Sequence, residues 1–296
     1  MIKGSSSKRR DEKMAYALIL PFLSMFIIFK LYPMVYGLVV SFLGRNSIRT
    51  YSDTTFRGFE NYLNVLQNPE FWASLGRSFI FSLVYTAFVM IVGFFLALML
   101  NRKFRTRTVV RTMFYLPYVT NIIAVGIVFK FIFNPTKGPI NAMLKVFGIT
   151  GMKWLTSPNM ALPLTALIAG YLAVAFNVIT VLAALQDVPN DLYEVARIEG
   201  TNTFQNLVYV TLPCIKPALW MLLTITIINS FKNYTVIQAL TEGGPGNTTT
   251  VLSMQIYNDA FIYSKYSYAA AEGVFMTIFI VLVNQAMSLV RRVWDK

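Results

Sequence analysis

The residues FIFSLVYTAFVMIVGFFLALML at positions 79–100 include neither a charged side chain nor a proline. A membrane-spanning α-helix needs about 20 consecutive apolar residues to cross the hydrocarbon core. The run is continuous, whereas a transmembrane β-strand alternates apolar and polar residues. We therefore predict that this stretch is a membrane-spanning helix and that the chain is an all-α membrane protein.

The rest of the chain repeats this pattern. Of its 296 residues, 56% are hydrophobic and only 13% are charged, whereas a soluble domain carries about 25% charged residues. Lys30 and Pro33 interrupt the first apolar run, so we expect a kink there. We predict a polytopic protein with six spans at 15–42, 79–100, 113–133, 161–185, 218–240 and 269–290.

The positive charges predict the orientation. The net charge is +13, and basic residues crowd into short segments beside the ends of spans, as in cytoplasmic loops. The loop after the second span holds Arg102, Lys103, Arg105, Arg107 and Arg111. Both termini are therefore predicted to be cytoplasmic. Membrane topology accounts for these charges, so we expect no nucleic-acid partner.

Several kinds of chemistry lack the residues that they need. The chain has no histidine and a single cysteine, Cys214, which excludes an internal disulfide and the commonest metal ligand. The glycine-rich segment 243–248 lacks the Gly-Lys-Ser/Thr ending of a phosphate-binding loop. We expect no catalytic site, no metal, no cofactor and no ATPase activity of the chain's own.

The polar stretch at 189–217 carries an apolar pattern of its own. It opens with the helix-starting residues Pro189, Asn190 and Asp191. An apolar stripe at i, i+3 and i+4 follows, formed by Leu192, Val195 and Ala196. Gly200 fits the left-handed position that ends a helix. These signals predict a short first helix.

A second helix is predicted directly after Gly200. Asn202 and Gln205 have the spacing of a capping box. Apolar positions then repeat with the helical period at Phe204, Leu207, Val208, Thr211 and Leu212. Pro213 and Pro217 are expected to break this helix before the fifth span. Spacing alone leaves two alternatives: a bent pair of cytoplasmic helices, or an ordinary amphipathic loop on the membrane.

Six residues of this stretch match a known signature in register. It resembles the coupling loop of permease subunits in binding-protein-dependent ABC importers, on Glu194, Ala196, Gly200, Leu212, Pro213 and Pro217. The segment Thr241-Glu242-Gly243-Gly244-Pro245, with Tyr257 and Ala260-Phe261, is similar to the first permease of sugar importers of the maltose and glycerol-phosphate type. Further matches are Phe114-Tyr115-Leu116-Pro117, Phe133-Asn134-Pro135 and Gln186-Asp187-Val188-Pro189.

The resemblance implies a function and a set of partners. The chain would be the permease of an ATP-driven importer in a bacterial cytoplasmic membrane, passing a sugar or oligosaccharide. The implied partners are a second homologous permease, a dimer of cytoplasmic ATPases and an extracellular or periplasmic solute-binding protein. The implied ATPase-coupling residues are Glu194, Ala196, Gly200, Leu212 and Pro213.

Polar groups within the later spans are candidates for the substrate path. Amide and hydroxyl groups suit sugar recognition, and we select Asn177, Asn229, Lys232, Asn233, Tyr234, Gln238 and Glu272. A charge in the bilayer needs a partner or a wet cavity. Lys232 therefore either faces the substrate or forms an ion pair with Glu272, and the sequence leaves both open.

The predicted organisation has four parts: a basic cytoplasmic tail (1–14), a first span with an outer loop and interfacial helix (15–78), a permease core of five spans with the coupling loop (79–290), and a short cytoplasmic tail (291–296). Two rival functions remain. An ion-coupled secondary transporter would need a carboxylate in a span, for which Glu272 is the candidate. A structural or signalling membrane protein would have no use for a coupling loop.

Overall fold

The computed structural model describes residues 4–44, 55–102 and 105–294. Every regular element in these ranges is helical, apart from one isolated antiparallel bridge between Leu43 and Phe56. The all-α prediction is therefore confirmed.

The helices of the described ranges are given in chain order. They are α1 Gly4–Phe26, α2 Tyr32–Val40, α3 Glu60–Gln67, α4 Pro69–Asn101, α5 Arg107–Val119, α6 Ile122–Ile132, α7 Pro139–Val146, α8 Ala161–Gln186, α9 Asn190–Ile198, α10 Thr203–Asn206, α11 Leu212–Phe231, α12 Thr235–Leu240, α13 Leu252–Tyr257 and α14 Tyr266–Trp294. Three π-helical turns lie between them, at Ile27–Leu31, Leu207–Thr211 and Asn258–Ile262.

Five helical stretches of the described chain are long and apolar enough to cross a membrane. They are Met14–Val40, Pro69–Asn101, Ala161–Gln186, Thr203–Phe231 and Tyr266–Val293. The predicted third span is instead a pair of helices, α5 and α6, bent by 100°. The bend occurs because Pro117 lies near the end of α5, and Asn121 caps α6 by accepting from the backbone N–H groups of Ile123 and Ala124. The six predicted spans are present if this pair counts as one.

The fifth span has different bounds from those that the sequence predicts. The prediction is 218–240, whereas the long helix begins at Thr203 and ends at Phe231. Lys232 caps its end, and α12 is a separate short helix. The expected break at Pro213 and Pro217 is also wrong, since the helix runs through both residues.

A π-helical turn explains why the proline does not end the helix. Leu207–Thr211 precedes Pro213, and the N–H of Leu212 donates to the carbonyl of Leu207, five residues back. Pro213 then occupies the first turn of α11, where a missing N–H is tolerated. The first span has the same arrangement: the π-helical turn Ile27–Leu31 precedes Pro33, which lies at the start of α2. π-helical turns are a known way to insert such irregularities into a continuous helix.

The chain divides into two compact units. The larger comprises Pro69–Gln255 and Met276–Lys296, within the described ranges. Its core is built where α4, α8 and α11 pack together, around Phe81, Val89, Leu182 and Leu222. Gly170 allows close approach of α8 to α4, because a Cβ there would lie 2.8 Å from the ring of Phe88.

The smaller unit comprises the described parts of Met1–Asn68 with Ile256–Phe275. In it, the Asn61 side chain donates to the backbone carbonyls of Ser41 and Leu43, both at 2.8 Å. The predicted outer helix is present as α3, beside a cluster of the rings of Phe42, Phe59 and Tyr62. Its position at the membrane interface remains a prediction, as does the division into four parts.

Candidate functional site

A small cavity, which we call the Asn177 cavity, lies between four helices of the larger unit. It measures about 130 Å³ and is lined from α4, α5, α8 and α11. Two of the predicted substrate-path residues, Asn177 and Asn229, meet there. The lining also includes Tyr85, Tyr118, Phe176 and Thr226. This combination of aromatic rings with amide and hydroxyl groups is suited to a polar organic molecule.

Asn177 is the most unusual group in this cavity. Its side chain is 1% exposed, and its Oδ1 atom has no hydrogen-bond partner among the described residues. Its Nδ2 atom has only the sulfur of Met90, at 3.4 Å. Gly93 makes room for it, because a Cβ at Gly93 would lie 2.9 Å from Oδ1. The fold therefore holds a buried amide oxygen with a free acceptor at the cavity.

Sequence reasoning missed the aromatic part of this lining. The rings of Tyr118 and Phe176 stack with centroids 6.4 Å apart. Tyr118 follows Pro117 at the end of α5, and Phe176 directly precedes Asn177. Nothing in the local pattern separates these two aromatic residues from the many others in the spans, because their contact arises from packing of α5 on α8.

Four other predicted substrate-path residues do not line this cavity. Lys232, Asn233, Tyr234 and Gln238 lie at and after the end of α11. Lys232 is exposed and makes no ion pair with a described residue of its own unit. Tyr234 packs against the hydrophobic core, while Gln238 is exposed. Any role of theirs in binding a substrate remains a prediction.

Glu272 lies in the smaller unit and is completely buried. Its carboxyl group forms a side-chain hydrogen bond with that of Asp259. Burial raises the pKa of the Asp259 carboxyl, while the Lys265 ammonium, 3.8 Å away, opposes this effect. A hydrogen bond between two carboxyl groups requires a proton on one of them. Glu272 thus has a partner within its own unit.

The first helix of the predicted coupling loop ends as expected. The backbone of Gly200 has a φ of 75°, which is left-handed. The N–H of Gly200 donates to the carbonyl of Arg197, and the N–H of Thr201 donates to that of Ala196, both at 3.1 Å. These two bonds form a Schellman motif, in which a left-handed residue satisfies the last carbonyls of a helix.

The second helix also begins as expected. The side chain of Asn202 accepts from the N–H of Gln205, and the side chain of Gln205 accepts from the N–H of Asn202, both at 2.8 Å. The capping box is therefore confirmed. The Tyr193 hydroxyl lies 3.0 Å from that of Thr211, which ties α9 to the π-helical turn. We call residues 190–211 the coupling element.

The coupling element presents two surfaces. Glu194 is exposed and lines a polar depression of about 630 Å³ together with Arg197 and Asn202. The apolar stripe of α9 is mostly exposed: only Ala196 is buried, whereas Val195 is 57% exposed. Further exposed apolar residues are Leu192, Ile198 and Phe204. An exposed apolar surface of this kind suits docking of another protein.

The remaining two predicted coupling residues lie where the coupling element joins α11. Leu212 and Pro213 line an apolar cavity of about 470 Å³, with Met90 and Trp220. Since α10, the π-helical turn and α11 form one helical stretch, the coupling element is continuous with the helix that carries Thr226 and Asn229, which line the Asn177 cavity.

The family model for the binding-protein-dependent transport system inner membrane component matches residues 89–295. The chain belongs to this family. The matched region includes the coupling element and, apart from Tyr85, the residues that line the Asn177 cavity. It follows that the chain is a multi-pass membrane transport subunit.

Several relatives are similar over almost the full length. The chain is 31% identical to the lactose transport system permease protein of Rhizobium radiobacter over 287 residues, covering 95% of this chain and 94% of the relative. It is 29% identical to the trehalose/maltose transport system permease protein of Thermococcus litoralis over 280 residues, covering 95% and 93%.

A solved structure is similar in fold over almost the full length of the chain. The chain matches one from a bacterial alginate ABC transporter in complex with alginate pentasaccharide-bound periplasmic protein, with a TM-score of 0.83. The two are 25% identical, and the match covers 98% of each chain. The predicted resemblance to importer permeases is thereby confirmed.

Proposed function

We propose that this permease forms half of the membrane pathway of an ATP-driven importer for a sugar or oligosaccharide. The other half is a second, homologous permease. A dimer of cytoplasmic ATPases docks on the coupling element, and an extracellular or periplasmic binding protein delivers the cargo. The chain itself binds no ATP.

The observation that carries the proposal is the coupling element. Its two helices are held at a defined angle by a Schellman motif and a capping box, and they present exposed apolar side chains. A rigid element with an unpartnered apolar surface provides a docking site through which a soluble ATPase can act on a membrane protein. An ion-coupled transporter has no such requirement.

The continuous helix Thr203–Phe231 provides the mechanical connection. Phe204 and Thr226 are 22 positions apart, or about 33 Å along an α-helix. Rigid helices transmit displacement with little loss, because their packed surroundings deform poorly. Closure of the ATPase dimer would displace the coupling element, and α11 would carry this displacement to the Asn177 cavity.

The cavity supports a sugar as cargo. Aromatic faces cover the apolar faces of sugar rings, while amide groups can pair with hydroxyls. Asn177, Tyr118 and Phe176 supply both kinds of group. The similarity to the lactose and trehalose/maltose transport system permeases supports a saccharide as cargo. The similarity to a transporter that imports the acidic polysaccharide alginate is consistent with an acidic one. An exposed Lys232 would favour acidic cargo.

Co-purification tests the proposal. The tagged permease, extracted in mild detergent from its own membranes, should bring down one copy of a second permease and a dimer of the ATPase. An Ile198→Asp variant places a charge on the exposed surface of α9 and should lose the ATPase while keeping the second permease. Phe147→Asp, also at an exposed position, is the control. Isolation of the wild type without any ATPase would refute the proposal.

A further inference from the structure

A further cavity lies between α5 and α8, separate from the Asn177 cavity. It measures about 450 Å³ and is bounded by the last turn of α4 at Leu100. This volume falls within the range of small-molecule sites. We call it the α5–α8 groove.

The α5–α8 groove has both polar and apolar lining. Arg111 and Thr112 of α5 and Gln186 of α8 all contribute to it. The lining also includes the side chain of Tyr115 and the apolar side chains of Ala175, Val178, Ile179 and Leu182. Tyr118 stacks on Phe176, which packs α5 against α8 beside the groove. Positions 175 to 186 span about 17 Å of helix, so the groove is long and amphipathic.

Arg111 has no protein counterpart in this groove. Its Nε atom is buried and lacks a hydrogen-bond partner among the described residues. No acidic side chain contributes to the described lining. A guanidinium is charged at any physiological pH, and its planar donors match the oxygens of a phosphate. The groove therefore presents a strong anion-binding group that no described acidic side chain neutralises.

We propose that the α5–α8 groove binds an anionic phospholipid of the inner leaflet. The lipid phosphate would accept hydrogen bonds from Arg111 and Gln186, and one acyl chain would lie along Val178 and Ile179. The positive-inside pattern predicts that the Arg111 end of α5 faces the cytoplasm. Basic pockets between helices on that side are suited to acidic headgroups.

An apolar helix of the second permease is the competing occupant. Such a helix would cover the apolar wall, but it would leave the Arg111 charge desolvated and unpaired, which is unfavourable. A phospholipid supplies both the anion and the chain. The bound lipid would brace α5 against α8 directly below the Tyr118–Phe176 contact, whatever the cargo is.

Native mass spectrometry of the assembled importer tests this site. The delipidated complex is titrated with dioleoyl phosphatidylglycerol or dioleoyl phosphatidylcholine, which share the same chains. Wild type should bind one phosphatidylglycerol at least fivefold more tightly than phosphatidylcholine. Arg111→Gln should remove this preference, while Arg105→Gln should keep it. Equal binding of the two lipids by wild type, or an unchanged preference in Arg111→Gln, would overturn the proposal.

A second variant keeps the test decisive if Arg111→Gln does not assemble. Ala183→Phe leaves the arginine in place and fills the groove with a ring, and it should also abolish the tight phosphatidylglycerol. Retention of that lipid by Ala183→Phe would count against the groove as its site. Ala183→Cys should react with an acyl-chain photoprobe. Cross-linking of the Ala183→Cys variant to the second permease would identify the competing occupant and overturn the proposal.

Discussion

At the scale of single residues, Asn177 carries the most information. A buried acceptor without a partner is unfavourable by about 1–3 kcal/mol, and Gly93 makes room for it. Replacement by an isosteric apolar residue should therefore not harm folding. Asn177→Leu is expected to assemble normally and to lower uptake about fivefold or more, through loss of a hydrogen bond to cargo worth about 1 kcal/mol.

The measurement is cargo uptake per assembled complex. Thr180→Val is the control: it is a polar-to-apolar change on the same helix, at a partly exposed position outside the cavity lining. Uptake at the wild-type rate by Asn177→Leu would exclude Asn177 from the substrate path.

Lys232 gives a second prediction at this scale. Glu272 already hydrogen-bonds Asp259, so Lys232→Met should not strand a carboxylate. We expect a normal yield of Lys232→Met with reduced uptake, most of all for acidic cargo. Yields of both single variants and of Lys232→Met/Glu272→Gln are compared. If Lys232→Met lowers the yield and Glu272→Gln restores it, the two residues form an ion pair and the substrate-facing role is wrong.

At the scale of elements, the turn at Gly200 determines the angle of the coupling element. A β-branched residue in a left-handed conformation is unfavourable by about 1–2 kcal/mol. No atom lies within 4 Å of a Cβ added at Gly200, so the effect of a substitution would be conformational. Gly200→Val should insert into the membrane normally, while ATPase binding and uptake fall together.

Gly148→Val is a closely matched control. Gly148 also has a positive φ, 71°, and open space around its Cβ position, but it follows α7, far along the chain from the coupling element. The same strain there should leave ATPase binding unchanged. Equal loss of binding in both variants would mean that strain in general, and not the coupling angle, is responsible.

Elements were predictable where their signals are local. Gly200 and the Asn202–Gln205 pair determine their own turns through bonds within a few residues, so their pattern was sufficient. The passage of the helix through Pro213 was not predictable, because it depends on a π-helical turn that has no sequence signature. The amide groups that line the Asn177 cavity were predictable, because amides within a span are easily recognised in the sequence. The contribution of Tyr85, Tyr118 and Phe176 was not, because it depends on how α4, α5 and α8 pack.

At the scale of the whole molecule, topology is the first requirement. The coupling element must be cytoplasmic, and the segment that follows α6 must be external. Cys214 is the sole cysteine, so Cys214→Ser gives a cysteine-free background. In that background, Glu199→Cys should react with a membrane-impermeant maleimide only from the cytoplasmic side, and Lys137→Cys only from outside. The reverse pattern would contradict the predicted orientation.

The central claim is that ATP hydrolysis by a partner drives transport through the coupling element. Its most direct test is uptake of radiolabelled oligosaccharide by proteoliposomes that contain both permeases, the ATPase dimer and the binding protein. We predict uptake only with ATP, little effect of collapsing ion gradients, and parallel loss of uptake and ATP hydrolysis in Gly200→Val. Uptake without ATP that follows a proton or sodium gradient would contradict the account.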